Sequence, residues 1–510
     1  MRIRSLIMLI ALFLASGYEA NGSVKPYTIM IYMNGSDLES EEGAATEDLI
    51  EILESGLRSK NANVVIFTGG TNRWQNDVIP SNECALWYVE NGELFEIERI
   101  GMLNMGDPDT LSDFIIFAMD NFPAEKYGLV LWDHGGGAIA GFGHDENFLD
   151  YDGGSLTLPE MDYAFRKAGL DGQKLEWLGF DSCLMATVEM ALIASQYAKY
   201  LVASEDLEPG DGWDYIFLSL LNRDPSASGY ILGKEIVDTF IDFYGPDSDE
   251  ILTLSVTDLN KVYPVMDAMG FLMEQCSQKL LTDRADSFTS LAKRRRYTKT
   301  FGEGSARDNE SDMVDVGDMA HQLADIFPQE VAAVHDALNG AVLYNRHNSL
   351  TALYGLSSYY VYGGLFYEAI ELYSQLNVDA SYILYLQKFF DRLSERGEDP
   401  DIPIIGYIMG RPVHLYRTAQ LRKSSHYAIP ARVNGQDCDI VVCVKENQQK
   451  VLGYRHMEGL VKQKGYDIFE PGDKVSFYCQ VEDSAQDCKW LASEEIEIKE
   501  PLTIVMHTCD

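Results

Sequence analysis

Positive charge is scarce in this chain. Across 510 residues, 80 aspartates and glutamates face 40 lysines and arginines, a formal net charge of −40 at pH 7. A field of that sign repels phosphate backbones, which argues against nucleic acid as a partner. It attracts cations and basic peptides, and it also serves solubility alone. After the N-terminal segment no stretch reaches the roughly 18 consecutive apolar residues of a membrane-spanning helix, so no stable membrane insertion is expected. The eight cysteines form no C-x-x-C pair, which argues against a zinc ribbon or a redox dithiol. A G-x-G-x-x-G fingerprint and a lysine-bearing phosphate loop are both missing, and there is no internal repeat. Apolar residues are not scarce. At 46% hydrophobic and 11% aromatic, the composition supports a packed core and excludes a disordered chain.

Residues 1–20 read as a secretory signal peptide. Arg2 and Arg4 precede an apolar core from Leu6 to Ala15, and small residues follow at Ser16, Gly17 and Ala20, giving cleavage after Gly17 or Ala20. No cysteine follows that core, so a bacterial lipid anchor is not indicated. The expected localisation is secreted, periplasmic or cell-surface. Five cysteines, Cys438, Cys443, Cys479, Cys488 and Cys509, cluster near the C-terminus, where an exported chain can form disulfides.

Apolar runs of strand length alternate with helical patterns. Strands are expected at Tyr27 to Met33, Asn63 to Thr68, Tyr127 to Trp132, Leu175 to Phe180, Tyr200 to Ser204 and Ile251 to Val256, with a hairpin around Asn91-Gly92. Helices are expected over Asp37 to Leu57, Asp107 to Asn121, Leu156 to Ala168 and Leu184 to Tyr197. The segment from Asn260 to Leu393 reads as mostly helical, with one strand near Leu356 to Tyr362. This is an α/β pattern: a mainly parallel sheet with helices on both faces, spanning residues 24–395. A polar linker, Glu395 to Pro403, leads to residues 404–510, which read as a C-terminal all-β domain.

Open parallel sheets place their chemistry at the carboxyl ends of strands. Two ends stand out. One runs into Asp133-His134-Gly135-Gly136-Gly137 and the other into Asp181-Ser182-Cys183. Cys183 is expected at a helix start, whose amide dipoles favour a thiolate. The glycines after His134 let backbone approach a substrate and aim N–H groups at an oxyanion. Cysteine near imidazole makes a nucleophile with its acid/base partner. A cysteine after a buried strand also serves as a small core residue, and a glycine-rich strand end also binds phosphate. His144 is a rival base away from the strand end.

The blocks LVLWDHGGG and LGFDSCLM, followed by SEDLEPGDGWDY and preceded by YTIMIYMNGSDLE, resemble the clostripain family of cysteine peptidases, in the clan of caspases and legumains. The resemblance covers Tyr27 to Leu393 and leaves the C-terminal strands outside. It implies a caspase-like fold and hydrolysis of peptide bonds after Arg or Lys. It assigns His134 as general acid/base, Cys183 as nucleophile, and the amides of Gly135 and Cys183 as the oxyanion hole. Asp181 becomes the acid that selects a basic P1 residue, with Asp211 as a second candidate. The expected partner is a peptide or protein with a basic P1 residue. No cofactor is required, and no metal ligand is assigned.

The chain departs from the family in one respect. Members are often activated by self-cleavage after a basic residue between the histidine and the cysteine, yet Gly135 to Phe165 contains no Lys or Arg. Arg166, Lys167 and Lys174 fall in or beside a helix, so the chain is expected to stay continuous there. Asp145, Glu146, Asp150 and Asp152 stand in that stretch instead. They offer hard oxygens for Ca²⁺, a cofactor of some relatives, or form a solvated acidic loop. The basic run Lys293 to Arg296 reads as a solvated helix face. The alternative function is a non-catalytic relative that uses its β domain to bind glycans or proteins.

Overall fold

The computed structural model describes residues 24–148 and 154–395, apart from 246–247, 249–250, 283, 303–310, 363–364 and 377, together with strand backbones beyond residue 403. The expected leader, residues 1–20, lies outside the described residues, as do the side chains of the C-terminal cysteines. Contact density divides the chain into two compact units. One is residues 1–360 with 368–385, and the other is residues 361–367 with 386–510.

In the first unit nine strands form one sheet: β1 (Lys25–Asn34), β2 (Ala62–Gly69), β3 (Cys84–Glu90), β4 (Glu93–Gly101), β5 (Ala124–Trp132), β6 (Leu175–Asp181), β7 (Ala198–Ala203), β8 (Thr253–Asp258) and, after a two-stranded ribbon partner β9 (Met313–Asp315), β10 (Val342–His347). Their spatial order is β10-β8-β7-β6-β5-β1-β2-β3-β4. The central run from β7 to β2 is parallel, while β3, β4, β8 and β10 extend it by antiparallel pairing. The sheet is therefore mostly parallel, as expected, with antiparallel margins.

Burial on both faces explains the unbroken apolar runs. In β1, Tyr27, Ile29, Ile31 and Met33 enter a core shared with Leu49 and Ile52 of helix α1 (Ala44–Glu54). The alternate Tyr32 packs on Phe114 of helix α2 (Pro108–Asn121), with ring centroids 5.9 Å apart. The edge strand β4 carries Glu93, Glu96 and Glu98, and charge there discourages pairing with another chain. Asn91 and Gly92 join β3 to β4 with φ of 52° and 81°, both left-handed, as a two-residue hairpin turn requires.

Three helices differ from expectation. The stretch after β1 is not one helix: a short turn at Leu38–Glu42 ends at Gly43, whose φ of 82° breaks the helical path before α1 begins. Helix α3 (Leu158–Lys167) starts at Thr157, where a capping box with Glu160 satisfies the first amides. Helix α4 (Val188–Ala194) begins well after Leu184, because Leu184 takes a left-handed φ of 65° that no continuous helix accommodates. The strands β9 and β10 also escape a pattern reading. β9 is three residues long, and β10 (VLYNRH) mixes polar with apolar side chains. The strand near Leu356 exists as β11 (Ser357–Tyr359) and pairs with β9 instead of joining the main sheet.

In the second unit the strand backbones beyond residue 403 pair antiparallel throughout. Ser424–Val433 and Gln436–Lys445, for example, flank Asn434-Gly435.

The buried Thr187 hydroxyl accepts from the amide of Met190 at 2.9 Å and caps α4. Thr187→Ala should lower unfolding free energy by about 1 kcal/mol, measured by denaturant melts. An unchanged midpoint would show that the cap contributes nothing.

Candidate active site

Strand register brings the site together. β5 lies between β1 and β6, with Trp132 opposite both Met33 and Asp181. The chain therefore leaves three neighbouring strands along one edge of the sheet, into Gly35-Ser36-Asp37, Asp133-His134-Gly135 and Ser182-Cys183. Gly135 lies directly on the Cys183 loop: a Cβ built there would sit 1.9 Å from the carbonyl oxygen of Cys183. Only glycine allows this approach.

The histidine loop is pinned from below by Asp133. This buried carboxylate accepts from the amides of His134 at 2.6 Å and His144 at 2.5 Å, and from the Asn34 side-chain amide. Burial raises its pKa to about 7, against the opposing pull of His134 and of these hydrogen bonds. The ring of His134 is held from above by a residue the sequence reading did not single out. Its Nε2 lies 2.8 Å from Oδ1 of Asp37. Burial pushes the Asp37 carboxyl up, but hydrogen bonding and charge attraction to His134 outweigh it and leave it below the usual range. Ser36, just before it, takes a left-handed φ of 45° that a serine adopts only under constraint. His134 and Asp37 line a cavity of about 360 Å³ with Gly135, Gly143, His144 and Ser155. His144 is thus a neighbour of His134, ring centroids 6.3 Å apart, and not a remote rival.

Cys183 is a free thiol, and the structure corrects its expected electrostatics. The residue is not at a helix N-terminus, since α4 begins at Val188. It stands in a turn laced to the segment after β7: Leu184 N donates to Asp206 O at 3.0 Å, and Ala186 N to Ser204 O at 2.8 Å. Its Sγ accepts from the Glu208 amide at 3.2 Å and contacts the Glu208 carbonyl at 3.7 Å. Burial drives the thiol pKa up to about 11, with the Glu208 amide opposing and the charges of Glu208 and Asp206 adding to the rise. At neutral pH Cys183 is therefore a neutral thiol.

Asp181 is buried at the end of β6, two residues before Cys183. It accepts from Trp213 N at 3.1 Å and Tyr215 Oη at 2.9 Å. Gly212 is required above it, because a Cβ there would fall 2.8 Å from Oδ1. Asp211 is exposed at the surface of the same segment, apart from Asp181. Glu208, unremarked in the sequence, buries its carboxylate beside Asp181 instead. A strand-end position for Asp37, and the run of acids in SEDLEPGDGWD for Glu208, were the only signals either residue carried.

Among the described residues of the acidic stretch, Asp145 and Glu146 do not form a cation site. Asp145 accepts from Met105 N and Asn147 N, and Glu146 from Ser40, Thr71 and Asn72. Their oxygens are spent on protein donors, which does not fit Ca²⁺. Asp150 and Asp152 lie outside the described residues. Arg166 and Lys167 lie in α3, paired with Asp162 and with Asp109 and Asp113, and Lys174 donates to Ser195 O. The basic run is only partly a solvated face. In helix Arg284–Tyr297, Arg295 is fully buried against Asp312 at 3.1 Å and the Tyr360 carbonyl, because a buried guanidinium needs a carboxylate and acceptors to offset desolvation.

The mostly parallel sheet with helices on both faces is a caspase-like fold, and solved structures share that fold. A secreted C11 cysteine protease from Bacteroides thetaiotaomicron, bound to an irreversible peptide inhibitor, is similar at a TM-score of 0.54 and 16% identity, over 70% of this chain and 98% of that one. An inactive zymogen C11 protease from Parabacteroides distasonis is similar at a TM-score of 0.52 and 19% identity, over 72% and 99%. Both likenesses concern the fold. The clostripain family matches residues 31–486, and the chain belongs to that family of cysteine peptidases. The match runs past Leu393 into the C-terminal strands, which the sequence reading had left outside the resemblance. Clostripain of Hathewaya histolytica is 29% identical over 222 residues, 37% of this chain and 40% of that protein. The chain thus spans well under half the length of this curated relative.

Two outcomes follow from this geometry. Alkylation of Cys183 by iodoacetamide in the substrate-free protein should keep accelerating from pH 7 to pH 10, because thiolate appears only as the pH approaches about 11. Mass spectrometry of the adduct measures it, and a rate that levels off near neutrality would contradict a buried neutral thiol. Asp37→Asn should lower kcat/KM about tenfold, mainly through kcat, because the imidazole loses its orienting charge. Steady-state kinetics on a peptide substrate checks this, and an unaltered kcat would remove Asp37 from the site.

Proposed function

We propose that the chain is an exported cysteine endopeptidase that cuts peptide bonds after Arg or Lys. The observation that carries this reading is the placement of His134 and Cys183 at adjacent strand ends, with Gly135 against the Cys183 main chain, in a member of the clostripain family. Export is supported by the signal-like residues 1–20 and by a relative described as secreted.

In this reading the His134 imidazole takes the thiol proton and the Cys183 sulfur attacks the scissile carbonyl carbon. The carbonyl oxygen gains negative charge, which the amides of Gly135 and Cys183 stabilise. As the C–N bond breaks, the imidazolium returns its proton to the departing amine and leaves a thioester on Cys183. Water, deprotonated by His134, then hydrolyses the thioester and restores the thiol. Asp37 holds the ring through both proton transfers. Asp181 is the counter-charge for the P1 side chain, since a buried carboxylate pairs with a guanidinium by charge-assisted, bidentate bonds. Asp211, being exposed, is left to contacts nearer the mouth. No cofactor takes part. The chain works in one piece across Gly135 to Cys183, because Arg166 and Lys167 are helical and Lys174 is tied to Ser195, so none is in extended, scissile form.

A fluorogenic panel with Arg, Lys, Asn, Asp and Gln at P1 tests the reading, together with a P1-arginine electrophile. Arg and Lys substrates should turn over and one adduct should form, on Cys183. Cys183→Ala should abolish turnover, His134→Ala should lower it by several orders of magnitude, and Asp181→Asn should reduce kcat/KM for Arg substrates by about 10²-fold. Preference for Asp or Asn at P1 would overturn the specificity. Full turnover by Cys183→Ala would overturn the enzyme.

A further inference from the structure

Lys299 follows the basic run, and the fold brings it to the segment that holds Cys183. After the helix Arg284–Tyr297 the chain runs antiparallel to β9: Asp315 N donates to Lys299 O at 3.1 Å, and Phe301 N to Met313 O at 3.0 Å. The Lys299 amide donates to Asp318 Oδ2 at 2.6 Å, and its ammonium lies 5.1 Å from the centroid of the Phe301 ring. Held in this way, Lys299 places Nζ 3.3 Å from Oδ2 of Asp206. The other carboxylate oxygen of Asp206 accepts from Gly302 N and from Leu207 N, each at 3.0 Å. The Asp206 side chain is only 9% exposed, so solvent and salt screen this pair less than one at the surface.

Asp206 is in turn fastened to the Cys183 turn. Its carbonyl accepts from Leu184 N at 3.0 Å, and two residues further on the Glu208 amide meets Cys183 Sγ at 3.2 Å. Gly302 touches the same turn, since a Cβ there would fall 3.7 Å from Leu184 Cδ1. The neighbouring elements bring these charged and titratable groups to the turn: Asp181 from β6, His134 from the loop after β5, Asp206 and Glu208 from the segment after β7, and Lys299 from the strip beside β9. Glu205, Asp315 and Asp318 stand around Asp206 and Lys299. Burial first, and then the charges of Glu208 and Asp206, keep the proton on the sulfur against the pull of the Glu208 amide. Of those two acids, Asp206 is the one that meets a cation among the described residues. An ionised Asp206 left alone would oppose a thiolate through poorly solvated surroundings. Paired with an ammonium, most of its field is cancelled. We propose that Lys299 is a positioning residue for Cys183: acting through Asp206, it offsets the negative charge beside the sulfur and makes the thiolate easier to form. This inference rests on the reading of Cys183 as the nucleophile, and not on the residue preferred at P1.

The test is alkylation of Cys183 by iodoacetamide at pH 8 in the full chain, read by mass spectrometry as the adduct on the Cys183 peptide. So far below the ionisation of the thiol, the rate follows the thiolate fraction, offset in part because a more basic sulfur is a better nucleophile. Lys299→Met should slow alkylation about threefold to tenfold. Lys299→Arg keeps the charge and should stay within about twofold of wild type. Asp206→Asn keeps an acceptor for Gly302 and Leu207 and removes the negative charge, so it should speed alkylation. Lys299→Met combined with Asp206→Asn should return the rate close to wild type, because no charge is left to offset. A purely structural role would leave that double variant at least as slow as Lys299→Met alone. Melting curves establish which variants fold, and should Lys299→Met not fold, Asp206→Asn alone must still speed alkylation. An unchanged rate in Lys299→Met, or a double variant as slow as that single one, would overturn the proposal. The series needs no substrate, so its outcome is independent of P1 preference. Full turnover by Cys183→Ala would instead overturn the reading of Cys183 as the nucleophile.

Discussion

Trp132 faces Met33 on one side and Asp181 on the other, and this parallel register of three strands is the constraint on which the site depends. Side chains in a strand alternate faces, so a shift by one residue would turn every core residue of β5 outward. The register cannot slip without losing the core. It therefore fixes, to within a residue, where the chain leaves β1, β5 and β6. Asp37, His134 and Cys183 are distant in sequence but are delivered to one edge by that requirement. Gly135 uses the last of the available space, packing where any side chain would strike the Cys183 carbonyl.

The buried acids divide by how they are satisfied. Asp133 is saturated with hydrogen bonds and fixes a loop. Glu189, in α4, accepts from Ser358, Tyr359 and Tyr373 and fastens the helix behind Cys183 to β11. The carboxylate of Glu208 is buried beside Asp181 and the Trp213 indole. One oxygen of Glu189 is also left without a hydrogen bond, so an unpaired buried acid does not by itself mark a binding place. The net charge of −40 is a poor guide to how each acid is held, because it counts every acid alike.

The strands of the main sheet were legible because burial on both faces leaves unbroken apolar runs such as YTIMIYM and YGLVLW. His134 and Cys183 were legible because their strand ends carry residues that packing alone does not require. The helix boundaries were not. Gly43 and Leu184 interrupt apolar periodicity through backbone angles that no periodicity reveals, and the second of these took with it the expected helix dipole at Cys183. Asp37 and Glu208 were hidden for a different reason. Their importance lies in what is across the sheet edge, and sequence spacing carries no record of strand order. Arg295 sat inside a run of four basic residues that looked solvated, yet its partner Asp312 comes from another part of the fold.

The way Cys183 is held at rest bears on how long such a protein lasts. Peroxide and disulfides attack thiolates far faster than thiols, and oxidation beyond the first step is irreversible. A sulfur kept protonated and tucked against the Glu208 main chain is a poor target for such oxidants. The burial that keeps the Cys183 sulfur protonated and slow to react thus also protects it from oxidation.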